Sequence, residues 1–243
     1  MEGHLTKALA DGAHAEGYAE YGGDYYDDSK IVANKKGSHA EGYADNFGTI
    51  NANEKGAHAE GCAYDDGTIN ASGAGAHTEG CAERQSSILS YGPGSHAEGY
   101  AEYGGTINAN GNGAHVGGCA EDQSSILSYG AGSHAEGYAE YGGTINASSN
   151  GACIIGAVAK QKSIIAIGSE SITEGGIAGG IADNNSSILL DGYGAIAYGF
   201  SSENSIIKAT GSGASAIGCA YDGGNLIANG NGAIALGFNT IAN

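Results

Sequence analysis

Seven histidines recur in one register of this chain: His14, His39, His58, His77, His96, His115 and His134. Six of them are followed two residues later by a glutamate: Glu16, Glu41, Glu60, Glu79, Glu98 and Glu136. Imidazole beside carboxylate is competent metal chemistry. Where Cys62 or Cys81 follows in the same repeat, it also has the ingredients of a nucleophile and its base. The residues recur as ladders, however, with nothing singular to form an oxyanion site, so the pattern speaks against catalysis. A cation in every layer would stack positive charges a few ångströms apart. The first reading is therefore buried layers of paired His and Glu, with no cofactor. His115 is the candidate for an ion-binding layer, because Val116-Gly117 replaces the usual Ala-Glu and removes its neighbour from the sequence. Simple repacking is the other reading at that position.

The elements that position these residues follow from the repeat. Gly-Ala/Ser-His-Ala-Glu-Gly-Tyr/Cys-Ala begins at Gly12, Gly37, Gly56, Gly75, Gly94, Gly113 and Gly132. It continues with apolar filling at Gly151, Gly175, Gly194, Gly213 and Gly232, and the interval is nineteen except between 12 and 37 and between 151 and 175. One period along a whole chain predicts a stacked array whose function lies on a repeated surface. Each unit holds two strand-like runs separated by Gly-rich turns that let the chain reverse. The first is His-Ala-Glu and the second is Gly-Thr-Ile-Asn-Ala or Ser-Ser-Ile-Leu-Ser. An aliphatic ladder is expected at Ile31, Ile50, Ile69, Ile88, Ile107, Ile126, Ile145, Ile164, Ile188, Ile207 and Leu226.

Composition agrees with a thin coil. There are 46 glycines, one proline and no tryptophan, and the apolar fraction is mostly alanine. The formal net charge of -18, with no Lys or Arg between Arg84 and Lys160, argues against nucleic acid and anionic membrane as partners. No segment approaches the roughly 20 apolar residues of a membrane helix, so no direct membrane insertion is expected. The five cysteines read as small apolar fillers of a ladder rather than as a disulfide framework.

Alternation along the first run divides it into two faces. Ala13, Ala15 and their equivalents face inward, while the His and Glu rows face outward. Toward the C-terminus the outward places carry Ile196 and Tyr198, Ser215 and Ile217, and Ile234 and Leu236. Such a stripe pointing at water marks an association surface, so this face is expected to be covered by other chains, with His and Glu satisfying one another across subunits.

Three C-terminal segments, Gly194-Ala-Ile-Ala-Tyr-Gly199, Gly213-Ala-Ser-Ala-Ile-Gly218 and Gly232-Ala-Ile-Ala-Leu-Gly237, resemble the head repeats of YadA-type trimeric autotransporter adhesins. The His-Ala-Glu-Gly version resembles coils of bacterial surface and phage tail-fibre-like proteins. The resemblance covers 12–243. It implies an all-β repeat solenoid, a left-handed parallel β-roll of about twelve mostly 19-residue coils, assembled as a homotrimer with the first strand toward the threefold axis. The function it implies is non-catalytic: an extracellular fibre head, attached to a cell surface or outer membrane, that binds host matrix protein or glycan. A virion tail fibre, or a structural ion-binding rod with His/Glu layers on the axis, is the alternative. The family's coils are shorter, and its signal sequence, coiled-coil stalk and anchor barrel have no counterpart in these residues. The hexapeptide-repeat acyltransferase helix is also trimeric and has a turn of similar length. It demands an aliphatic residue every six positions, which the N-terminal units lack.

By sequence the chain divides into a lead-in at 1–11, His/Glu-layered repeats at 12–167, an irregular junction at 168–174 and aliphatic repeats at 175–243. Tyr21, Tyr103 and Tyr141 occupy Ala-Glu-Tyr-Gly-Gly turns, and the first long interval inserts Asp24-Tyr25-Tyr26-Asp27-Asp28. These tyrosines are the candidate ligand surface. Packing over the next coil, or capping the open end in the case of the insert, is the competing reading.

Overall fold

One isoleucine per repeat cannot fill a globule, but it can fill the gap between two sheets when the residues opposite it are alanines. That is the arrangement found in a computed structural model of the chain, which describes residues 6–19, 29–168 and 175–242. Tyr21, Tyr25, Tyr26 and the rest of the 24–28 insert lie outside the described residues, as does 169–174 of the expected junction. The described residues are all-β, built as a parallel β-solenoid in which each coil gives one strand to each of two sheets.

The chain divides into two units, Met1–Gln123 and Ser124–Asn243. In the first unit, sheet A holds Thr6–Ala8, Lys30–Ala33, Thr49–Ala52, Thr68–Ala71, Ser87–Ser90 and Thr106–Ala109. Its sheet B holds His14–Ala19, His39–Asp45, His58–Tyr64, His77–Glu83, His96–Ala101 and His115–Ala120. In the second unit, sheet A runs from Ser125–Ser128 through Thr144–Ala147, Ile164–Ile167, Ser187–Leu190, Ile206–Ala209 and Asn225–Ala228 to Ile241–Ala242. Its sheet B runs from His134–Glu140 through Ala152–Lys160, Gly176–Ala182, Ile196–Ser201 and Ser215–Ala220 to Ile234–Phe238.

Like pairs with like: His39 lies beside His58, Glu41 beside Glu60 and Ile50 beside Ile69. Ile50, Ile69, Ile88 and Ile107 are fully buried in the first unit, and Ile145, Ile188 and Ile207 in the second. The expected ladder needs one correction. Ile165, not Ile164, pairs with Ile145 and Ile188 and is buried, while Ile164 is exposed on the outer side of sheet A. The cause is an extra residue upstream. Ala135 pairs with Ile154 and Gly137 with Ala157, so Ile155 and Gly156 together stand opposite Glu136. This is a β-bulge, and it carries every later residue of that coil one place along.

Two turns close each coil. After sheet B the chain reverses through two consecutive left-handed residues, such as Asn46 and Phe47 at φ +46° and +66°, with the Gly48 N–H donating to the Asp45 carbonyl at 2.9 Å. This is the primed turn that matches strand twist. The expectation of glycine at these reversals is only half met: Arg84-Gln85, Gln161-Lys162 and Glu203-Asn204 adopt the same conformation with full side chains, at a cost of order 1 kcal/mol per residue. After sheet A the reversal uses the repeat's leading glycine, as where the Ala57 N–H reaches the Glu54 carbonyl at 3.0 Å with Gly56 at φ +65°. Buried serines at the strand entries serve as acceptors for the next coil, Ser86 Oγ for the Gly105 N–H at 3.1 Å and Ser186 Oγ for the Ser205 N–H at 3.2 Å. A core this thin keeps its backbone satisfied in this way.

Candidate interaction face

The side chains singled out by sequence lie on the outer face of sheet B. In the strand His-Ala-Glu-Gly-Tyr/Cys-Ala, the first, third and fifth residues point outward, while the alanines are buried. The face therefore carries three rows rather than the expected two. The Tyr/Cys position stands beside His and Glu, as in Tyr43, Cys62 and Cys81. The cysteines are free, as expected. Two of them are not apolar fillers: Cys81 Sγ donates to Glu83 at 3.3 Å and Cys119 Sγ to Glu121 at 3.1 Å. Burial, assisted by the Glu83 carboxylate, pushes the Cys81 thiol up to about 12.

Between the Glu and Tyr/Cys rows runs a column of glycines in a left-handed extended conformation. Gly99 has φ +134°, and a Cβ there would lie 2.0 Å from the Gly118 carbonyl oxygen. No other residue fits. The column leaves a shallow furrow flanked by Glu41, Glu60, Glu79 and Glu98.

In the first unit the imidazoles form a stack. His39 and His58 have ring centroids 4.6 Å apart, and His58–His77 and His77–His96 are each 4.7 Å apart, with planes within 12° of parallel. Each ring faces the glutamate of its own strand, at 2.9 Å for His39–Glu41 and 3.0 Å for His58–Glu60, but at 3.5 Å for His77–Glu79. The pairing expected between subunits is thus available within one chain. Desolvation, then the neighbouring His77, lowers the pKa of His96 and favours the neutral ring.

His115 departs from the stack, and from the expectation that it lacks a carboxylate. Glu98 of the preceding coil lies 3.5 Å from it, leaning over Gly117 where the repeat would place a glutamate. The signal was in the sequence, since a missing side chain in one layer frees the carboxylate next to it.

In the second unit the same rows change character. His134 and Glu136, 3.3 Å apart, keep the His/Glu pair. The first row then runs Cys153, Ile177, Ile196, Ser215 and Ile234, and the third runs Tyr138, Val158, Ile181, Phe200, Cys219 and Phe238. In the middle row, Gly179 sits beneath the Tyr198 ring and is followed by Tyr198, Ile217 and Leu236. Much of this is open to solvent in the single chain: Ile177 is 51% exposed, Ile234 61%, Leu236 59% and Phe238 62%.

A different surface lies along the primed turns of the first unit. Asn46, Phe47, Asp65, Asp66, Arg84, Gln85, Tyr103 and Asp122 line a cleft of about 770 Å³. The Arg84 guanidinium sits 4.5 Å over the Tyr103 ring and pairs with Glu102. Tyr103 and Tyr141 are exposed at left-handed turn positions, each in its own unit. No family model, curated protein or solved structure matches this chain.

Proposed function

We propose that the chain is a non-catalytic fibre head that assembles as a homotrimer through the outer face of sheet B and presents its turns to an external ligand. The observation that carries this reading is the apolar patch of the second unit: Ile177, Ile181, Tyr198, Phe200, Ile217, Ile234, Leu236 and Phe238 share one sheet face and are exposed in the single chain. A contiguous patch of this kind calls for a partner. A second and third copy suit it because self-association lets each chain's stripe cover another's. The resemblance to YadA-type heads adds the threefold arrangement, the left-handed coil and an extracellular, surface-attached setting, with a virion tail fibre as the alternative setting.

The ligand surface in this reading is the turn cleft around Phe47, Arg84 and Tyr103. It combines aromatic faces with carboxylates, amides and a guanidinium, which suits a glycan or a polar protein surface. Binding of immobilised glycans and matrix proteins by the intact protein, weakened at least tenfold in Tyr103→Ala, is the expected result. Equal binding by wild type and variant across the panel would remove the cleft from the account.

A further inference from the structure

The histidine stack holds one tilted pair of rings that shares a single carboxylate; His14 and His39 are also tilted, by 60° at 4.7 Å, but each of those rings faces the glutamate of its own strand. The His96 and His115 rings are tilted by 50° with centroids 5.0 Å apart, whereas His58 and His77 lie within 12° of parallel. Parallel imidazoles point their nitrogen lone pairs the same way and cannot direct both at one point. Tilted ones can. Between the tilted pair sits Glu98, with Oε2 3.6 Å from His96 Nε2 and Oε1 3.5 Å from His115 Nε2. These separations are long for hydrogen bonds. They lie a few tenths of an ångström above the spacing of neighbouring ligands around zinc, about 3.3 Å for metal–ligand bonds of about 2.0–2.1 Å, and each imidazole faces a different oxygen of the one carboxylate. The His96 Nε2 atom, like those of His58 and His77, is buried and makes no hydrogen bond, an expensive state for a polar nitrogen. The three ligand atoms all lie within 4.8 Å of one another.

We propose that His96, Glu98 and His115 form a site for one divalent transition-metal ion of the zinc class, bound by two imidazole nitrogens and one carboxylate. The site exists because Gly117 interrupts the glutamate row. The Gly117 backbone leaves room for the Glu98 side chain, whose Cγ would lie 3.3 Å from a Cβ at that position. Two nitrogens and one oxygen suit zinc, nickel or copper(II) rather than calcium or magnesium. His58, Glu60 and His77 offer the same ligand types, but their rings are parallel and one would have to rotate. All three ligands come from one chain, so the site does not depend on trimer formation.

The test is calorimetric titration of the chelator-stripped full chain with zinc chloride, read as ions per chain. One equivalent is expected, with affinity lowered at least tenfold in His115→Ala and Glu98→Gln and unchanged within twofold in His58→Ala. Gly117→Glu restores the residue that the other layers carry, so it keeps the fold while filling the space Glu98 uses; it too should lose the ion. Cobalt(II) in place of zinc should give the strong visible absorption of a four-coordinate site. Absence of binding, two equivalents, or equal loss in His58→Ala and His115→Ala would overturn the site.

Discussion

The two units have interiors of the same kind and differ in what they show to the outside. The described residues of each unit bury their own column of isoleucines against alanines and close their coils with left-handed turns of one kind. On the outer face of sheet B, however, one displays stacked imidazoles, carboxylates and Tyr/Cys, and the other isoleucine, leucine and aromatics. The interior and the turns therefore decide the fold, and the outer face is free to decide what the coil meets. A parallel solenoid permits this because side chains alternate strictly between the faces of a strand.

The comparison is broken most severely by attacking what the units share. Gly99→Ala in the first and Gly199→Ala in the second each force a side chain into a left-handed backbone, with φ +134° and +150°, and onto the next coil's carbonyl oxygen. Each should cost about 3 kcal/mol or more, read by urea unfolding; a variant as stable as wild type would refute the close approach. Next in size is a change on the apolar face alone. Ile234→Asp with Leu236→Asp should leave the circular dichroism of the coil intact and dissociate the assembly, read by sedimentation. An assembly that stayed intact would refute the assignment of this face as the interface.

Smaller effects sharpen the contrast. Because desolvation lowers the His96 pKa, the unfolded chain binds that proton more readily and stability is lost as pH falls through the unfolded value near 6.5. Part of the loss is screened where the ring meets solvent. Between pH 7.5 and 5 the melting midpoint should fall, with amide exchange rising around 77–120 and little around 196–238. A pH-independent profile would refute it. The smallest effect is chemical: at pH 8, in the dissociated Ile234→Asp, Leu236→Asp variant, Cys81, pushed up to about 12, should alkylate more than tenfold slower than Cys219, which is exposed in the single chain. Equal rates would contradict the burial of the thiol.

Much of this was legible in the residues. The nineteen-residue period gave the coil, the isoleucines gave the interior, and alternation turned His14 and Glu16 outward in the first unit and Ile234 and Leu236 outward in the second. What escaped has physical causes. The shift from Ile164 to Ile165 depends on a bulge, where Ile155-Gly156 opposes a single residue, and a bulge leaves no mark on composition. The polar role of two thiols escaped because Cys reads as a small apolar filler, whereas Cys81 and Cys119 donate to the glutamates two residues on. Glu98 reaching His115 depends on an empty place in the next layer, a relation between coils that reading one repeat at a time does not reveal. Left-handed Arg84, Gln85 and Lys162 run against local propensity, and only stacking of one coil on the next holds them.

The central claim is that the outer face of sheet B meets other copies of this chain, and the most direct measurement is the native mass of the intact protein. Three chains of 24.0 kDa, about 72 kDa, is the mass the account predicts. A single 24.0 kDa species at micromolar concentration would contradict it.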